Sequence, residues 1–145
     1  MFKMNRKAFS LIELAIGLAV VTVLILAVSV SSGVKDNARV QSAANSVRSL
    51  RSAAENYLVS GKVDYSGVSV SVLKALQFLP TNFNPVGANP WGGNFDLVPN
   101  SNATHYDVSL SGLKQPDADK MTAYFVSSAA NTVFDSNSGT WTATF

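Results

Sequence analysis

The chain of 145 residues has no cysteine and one histidine. The first absence excludes disulfides, thiol nucleophiles and thiolate metal ligands, but leaves the compartment open, because exported domains also fold without disulfides. The second leaves His105 without a histidine partner for a zinc site. No G-x-S-x-G, Walker or H-E-x-x-H pattern is present, so neither an enzyme nor a cofactor is expected. Charge is missing from one long stretch: between Phe9 and Val34 the only ionisable side chain is Glu13, and from Leu14 to Val30 there is none. No proline interrupts residues 9–60.

What fills the uncharged stretch is apolar, with Gly, Ser and Thr interspersed. As a helix, residues 9–34 extend about 39 Å at ~1.5 Å per residue, enough for a hydrocarbon core of ~30 Å. Three of the cations, Lys3, Arg6 and Lys7, precede Phe9. From Phe9 onward eight Lys and Arg face nine Asp and Glu, a net charge of −1, so the formal +2 belongs to the N-terminus. With no cation cluster in the remainder, no nucleic-acid partner is expected.

Three readings compete for the N-terminus. A secretory signal should have an apolar segment of about 7 to 15 residues, shorter than this one, and no acid within it. A single-pass anchor with its basic flank in the cytoplasm accounts for everything except Glu13. A carboxylate at the centre of a membrane helix costs about 2.5 to 3.5 kcal/mol, less towards the interface, so it usually has a partner or a function.

The third reading rests on "KAFSLIEL", which resembles the processing and assembly motif of type IV pilins and pseudopilins. The resemblance implies a leader, residues 1–8, cut by a prepilin peptidase between Ala8 and Phe9. It also implies N-methylation of Phe9 and an assembly role for Glu13, the fifth residue after the cut. The family usually has Gly before the cut and here it is Ala8, a departure that bears on cleavage efficiency. Physically, the cut creates an α-amino group of typical pKa 7.7 to 8.0. In a bundle of such helices, that amine and Glu13 of an adjacent copy can offset each other's desolvation and set the axial stagger.

Beyond the apolar run, Val40, Ala43, Val47, Leu50, Ala54 and Tyr57 recur at helical spacing, with Arg39, Arg48, Arg51 and Glu55 on other faces. One helix from about residue 9 to 60 is expected, its second half packed on a small domain, with Gly61 as its stop. Gly17 and Gly33 are places for local bending, or for close helix packing in the case of Gly17. Residues 68–79 read as a short helix, 80–95 as a structured loop, "HYDVSLS" as a strand, and "TVF" and "TWTATF" as a hairpin joined by "DSNSG". Trp141, Ala143 and Phe145 should face inward. Residues 116–129 fit helix or strand; Pro116 with Asp117 and Asp119 looks like a helix first turn and favours helix, while "MTAYFV" also fits a strand.

"NPWGG", residues 89–93, resembles a turn of type IVb pilins and, less closely, the DPWG turn of major type II secretion pseudopilins. It reads as a turn fixed by Pro90, burying Trp91, with Gly92 and Gly93 admitting angles that other residues resist. A ligand-stacking role is the alternative for Trp91. Asn89 stands where the pseudopilin pattern has an acid, and Asp117 and Asp119 in a loop are a weak oxygen-ligand signal, so no metal is expected. Asn102, Ala103 and Thr104 form an N-x-T sequon, read as coincidence.

The expectation is therefore an α+β chain with the type IV pilin fold. Residues 1–8 are the leader, 9–34 the transmembrane and filament-core helix, and 35–145 the amphipathic helix half plus the head. The implied function is a structural subunit that polymerises with copies of itself through prepilin peptidase and the pilus assembly machinery. It would pass from the bacterial inner membrane to the cell surface. Pseudopilin, minor pilin and a monomeric membrane-anchored binding module are the alternatives. The leader and Phe9 look like the IVa class, while NPWGG and the proline-free helix look like IVb, which leaves the subclass open.

Overall fold

A computed structural model describes residues 11–145, without the side chains of Leu11, Glu13 and residues 23–32. Helix α1, Leu11–Val59, is followed by α2, Val70–Ala75, then strands β1, Phe95–Pro99, and β2, Tyr106–Leu110. Helix α3, Gln115–Phe125, precedes β3, Asn131–Asp135, and β4, Thr140–Thr144. The chain divides into two units, one ending at Asn37 and the other spanning Ala38–Phe145, so the division falls within α1.

In the second unit the strands form one antiparallel sheet of order β1-β2-β4-β3. Its core is built by period. Every residue of the expected α1 stripe, Val40 to Tyr57, is buried, and Ala44 and Ala53 join it. Strand alternation supplies Phe95 and Leu97 from β1, Tyr106, Val108 and Leu110 from β2, and Trp141 and Ala143 from β4. Ala118, Met121 and Phe125 of α3 complete the cluster, while Phe145 is half-buried against it.

The segment read as ambiguous is the helix α3. Pro116 sits in its first turn, where a missing N–H costs nothing, and Asp117 there complements the helix dipole. The loop placement of Asp117 and Asp119 is thereby corrected. Both are helical, and Asp119 Oδ1 accepts from Gln115 Nε2 one turn back at 2.7 Å.

Helix α1 ends as expected: Gly61 has φ +92°, and its N–H closes on the carbonyl of Leu58 at 3.1 Å. Helix α2 is shorter than the apolar spacing implied. Gln77 takes φ +61°, its N–H bonds to Lys74 O at 3.0 Å and that of Phe78 bonds to Leu73 O at 2.9 Å. This pair of bonds is a Schellman stop, and it carries Leu79 out of the helix and into the core.

Strand β1 was not expected. The loop reading of residues 80–95 runs into it, because only Phe95 and Leu97 alternate before Pro99.

The β3–β4 turn is closed by Asp135, whose carboxylate accepts from Ser138 Oγ at 2.7 Å and Asn137 N–H at 2.9 Å. These bonds, the Ser138 hydroxyl foremost, hold its pKa below the usual carboxylate range.

Candidate functional site

Two places carry the functional signals, the start of α1 and the NPWGG turn. Ala8 and Phe9 lie outside the described residues, as does the Glu13 side chain; the Glu13 backbone lies in α1. Around it, Ile12, Leu14, Ile16, Leu18, Val20 and Val21 are all exposed. At ~100° per residue these positions, together with the exposed Ala15, Gly17 and Ala19, go round the whole axis, so the described side chains of this part of α1 form no polar face. A Cβ added at Gly17 would meet nothing within 4 Å. Among the described residues no helix is long and apolar enough to cross a membrane.

The second unit holds its own part of α1 through aromatic and cationic groups. Tyr57 donates its hydroxyl to Ser66 O at 3.1 Å and so pins the loop after the helix. Arg51 forms an exposed pair with Glu55 at 2.8 Å, reaches Ser128 O at 3.4 Å and lies over the Phe145 ring. The Arg51–Glu55 pair itself is worth only about 0.3 to 0.5 kcal/mol, so the value of Arg51 is in joining the helix to the chain beyond α3. Arg48 lies over Tyr124, 4.8 Å from the ring centroid, and Gln41 Nε2 donates to the Tyr124 hydroxyl at 2.8 Å.

At the turn, the buried residue is Asn89, at 4% exposure. Trp91 is half-buried as a residue and packed against the core, with the indole Nε1 buried and the rest of the side chain partly open, so the expected burial is partial. Trp91 therefore covers the core edge, and the polar neighbour does the organising. Asn89 Oδ1 accepts from the N–H of Trp91 at 3.0 Å and of Gly93 at 2.9 Å. Its Nδ2 donates to Ser111 O at 2.7 Å and Asn94 O at 3.3 Å. Both acceptor and both donor positions of the amide are thus used. Sequence reasoning passed over this role because an Asn in a Pro- and Gly-rich segment reads as solvated turn.

Gly92 and Gly93 differ in kind. Gly92 has φ +81° with open space at its Cβ position. At Gly93 a Cβ would collide with the Ser111 carbonyl, so the turn and the β2–α3 loop approach there as bare backbones. Pro90 is half-buried between Asn89 and Trp91.

Two buried polar atoms, Trp91 Nε1 and Tyr106 Oη, have no hydrogen-bond partner among the described residues. Burial pushes the Tyr106 phenol well above its usual pKa, and Tyr65 and Glu55 push the same way while Arg51 opposes. Its ring packs 4.6 Å from that of Tyr65. His105 Nδ1 lies 2.9 Å from Thr104 Oγ1. Among the described residues no group of three or more His, Cys, Asp or Glu is placed to hold a metal ion.

Comparison with known proteins adds two matches. A family model described as the prokaryotic N-terminal methylation motif matches residues 3–29, and one described as Bundlin matches residues 32–145. No curated protein and no solved structure matches.

Proposed function

The chain belongs to the Bundlin family of type IV pilins, and from that premise we propose the route by which it becomes part of a fibre. Its function is that of a structural subunit of type IV pili; the family is structural, not enzymatic. The long N-terminal helix and the antiparallel sheet are the type IV pilin fold.

The observation that carries the route is the apolar, all-round exposed surface of α1 from Ile12 to Val21. Fully burying one Leu or Ile side chain contributes about 1.5 to 3 kcal/mol, so such a surface requires a cover in each state of the protein. Lipid of the inner membrane covers it in the precursor, with the basic leader on the cytoplasmic side. Copies of the same helix cover it in the filament, and the second unit then belongs to the extracellular pilus surface.

Glu13 makes that exchange specific. Removal of residues 1–8 exposes an α-amino group on Phe9, the group that would be N-methylated, a reading supported by the match of residues 3–29 to the prokaryotic N-terminal methylation motif. In the filament core the amine and Glu13 of a neighbouring copy form an ion pair. Leaving one partner of such a buried pair unmatched costs about 3 to 5 kcal/mol, so the pairing selects one stagger between neighbours. The partners are thus prepilin peptidase, the assembly machinery and other copies of the chain.

Mass spectrometry of sheared surface fibres tests the reading. The expected result is this chain as the main component, beginning at N-methylated Phe9. An intact Met1 terminus sinks the route, and a trace amount within fibres of another pilin makes it a minor subunit. A Glu13→Ala variant should be cleaved normally and fail to assemble; wild-type filament yield from that variant removes Glu13 from the pairing.

A further inference from the structure

The two edges of the sheet are unlike. On β1 the outward amides are those of residues 95, 97 and 99, because the main chain of Asn94 faces β2, where its carbonyl accepts from Ser111 N–H at 3.1 Å. Each of the three is closed to a further strand. Phe95 N–H donates to Pro85 O at 2.8 Å, Leu97 N–H donates to the Asp96 carboxylate at 2.8 Å, and Pro99 has no N–H.

On β3 the opposite holds. Tyr106 and Phe145 exchange both main-chain bonds, at 3.0 and 2.9 Å, so Phe145 faces β2 and by alternation Thr144, Thr142 and Thr140 face β3. Their partners Asn131, Val133 and Asp135 face back. Thr132 and Phe134 therefore direct N–H and C=O away from the sheet, and among the described residues those groups have no hydrogen-bond partner. This edge has no proline and no lysine, and among the described residues no main-chain hydrogen bond reaches its outer side; its protections are a length of five residues and the charge of Asp135 at its end.

We propose that the β3 edge is a self-pairing surface whose occupant is β3 of a second copy, antiparallel and centred on Val133. The sequence "NTVFD" suits this register. Thr132 meets Phe134 of the partner copy and Phe134 meets its Thr132, and these two positions exchange every outward N–H and C=O of both strands. On the exposed face Val133, 55% exposed in the single chain, meets its own copy. Asn131, an amide donor, meets the acceptor Asp135, so no like charges oppose. The blocked amides of β1 exclude β1 of another copy as the occupant.

The contact is isologous and closes after two copies, whereas the repeating contact of a helical filament is heterologous. Two heads joined through β3 therefore belong to separate polymers. The inference uses only the family's self-association and does not depend on the Phe9–Glu13 pairing.

The cysteine-free sequence gives a clean test. Centred pairing makes Val133 a non-hydrogen-bonded pair with itself, at a Cα separation of about 4.5 Å, within the ~4.4 to 6.8 Å that a disulfide spans. The full-length chain carrying Val133→Cys, purified in detergent and oxidised, should give disulfide-linked dimers several-fold in excess of Val98→Cys on the blocked edge. Asn131→Cys and Asp135→Cys should each fail alone and cross-link when mixed. Dimer yields from Val133→Cys no higher than from Val98→Cys overturn the proposal. So does self-linking of Asn131→Cys as strong as that of Val133→Cys, which indicates random collision. Because the assay needs no filament, failed assembly and failed pairing are read separately.

Discussion

Asn89 Nδ2 and the Ser111 carbonyl are joined at 2.7 Å across 22 residues of chain, and this bond ties the NPWGG turn to the end of β2. The amide donates there and to Asn94 O, while its oxygen receives Trp91 and Gly93 N–H. A carboxylate in place of this amide accepts the same two N–H groups but turns its second oxygen towards two carbonyls. The Asn89→Asp variant should therefore lose about 3 kcal/mol of stability, the cost of buried groups left without partners. Urea unfolding of the full-length chain in detergent, followed by circular dichroism, measures this. A loss under about 1 kcal/mol would show that the turn does not depend on the amide.

The adjacent glycines should separate clearly under alanine substitution. At Gly92 the added Cβ has room and the cost is conformational, φ +81° being disfavoured for an L side chain by about 1 to 2 kcal/mol. At Gly93 the Cβ runs into the Ser111 carbonyl, and backbone must move on both sides. Gly93→Ala should cost about 3 kcal/mol or more, through overpacking that also breaks the Asn89 bonds. The same unfolding assay checks the order; equal losses at the two positions contradict the close approach.

The contrast between these residues marks what could be read from sequence. The α1 stripe was legible because 3.6-residue periodicity from Val40 to Tyr57 has no rival pattern, and β4 because Thr alternates with Trp141, Ala143 and Phe145. Strand β1 was not, since two alternating residues between a loop and Pro99 are too short a signal. Asn89 and Gly93 were not distinguishable from their neighbours, because what sets them apart is Ser111, brought beside them only by the fold. Glu13 is the reverse case. Its isolation among apolar residues is a sequence property, while the partner proposed for it belongs to another copy.

Gln77 offers a stabilising change. It is the only non-glycine residue with positive φ among those described, and it occupies the position after the α2 cap where glycine is usual. Its side chain is exposed, so little packing is lost on removing it. Gln77→Gly should raise stability by about 1 kcal/mol, the left-handed penalty relieved less the extra entropy of glycine in the unfolded chain. A rise in the unfolding midpoint at unchanged denaturant slope is the expected observation; a fall means the Gln77 side chain contributes contacts that outweigh the strain.

Tyr106 gives a prediction in pH. Its hydroxyl is buried without a partner among the described residues, so Tyr106→Phe removes an unsatisfied polar atom and should be neutral or slightly stabilising at pH 7. Burial raises the phenol's pKa in the folded chain above the unfolded value near 10. The unfolded state therefore releases this proton first as pH rises. The stability tied to Tyr106 is complete below about pH 10 and declines above it, towards the raised folded value. Tyr65, whose pKa is also raised by burial, contributes in the same direction. Unfolding midpoints measured from about pH 8 to about pH 11 should fall at the alkaline end in the wild type and fall less steeply in Tyr106→Phe. Identical slopes would mean that the phenol reaches solvent in the folded protein.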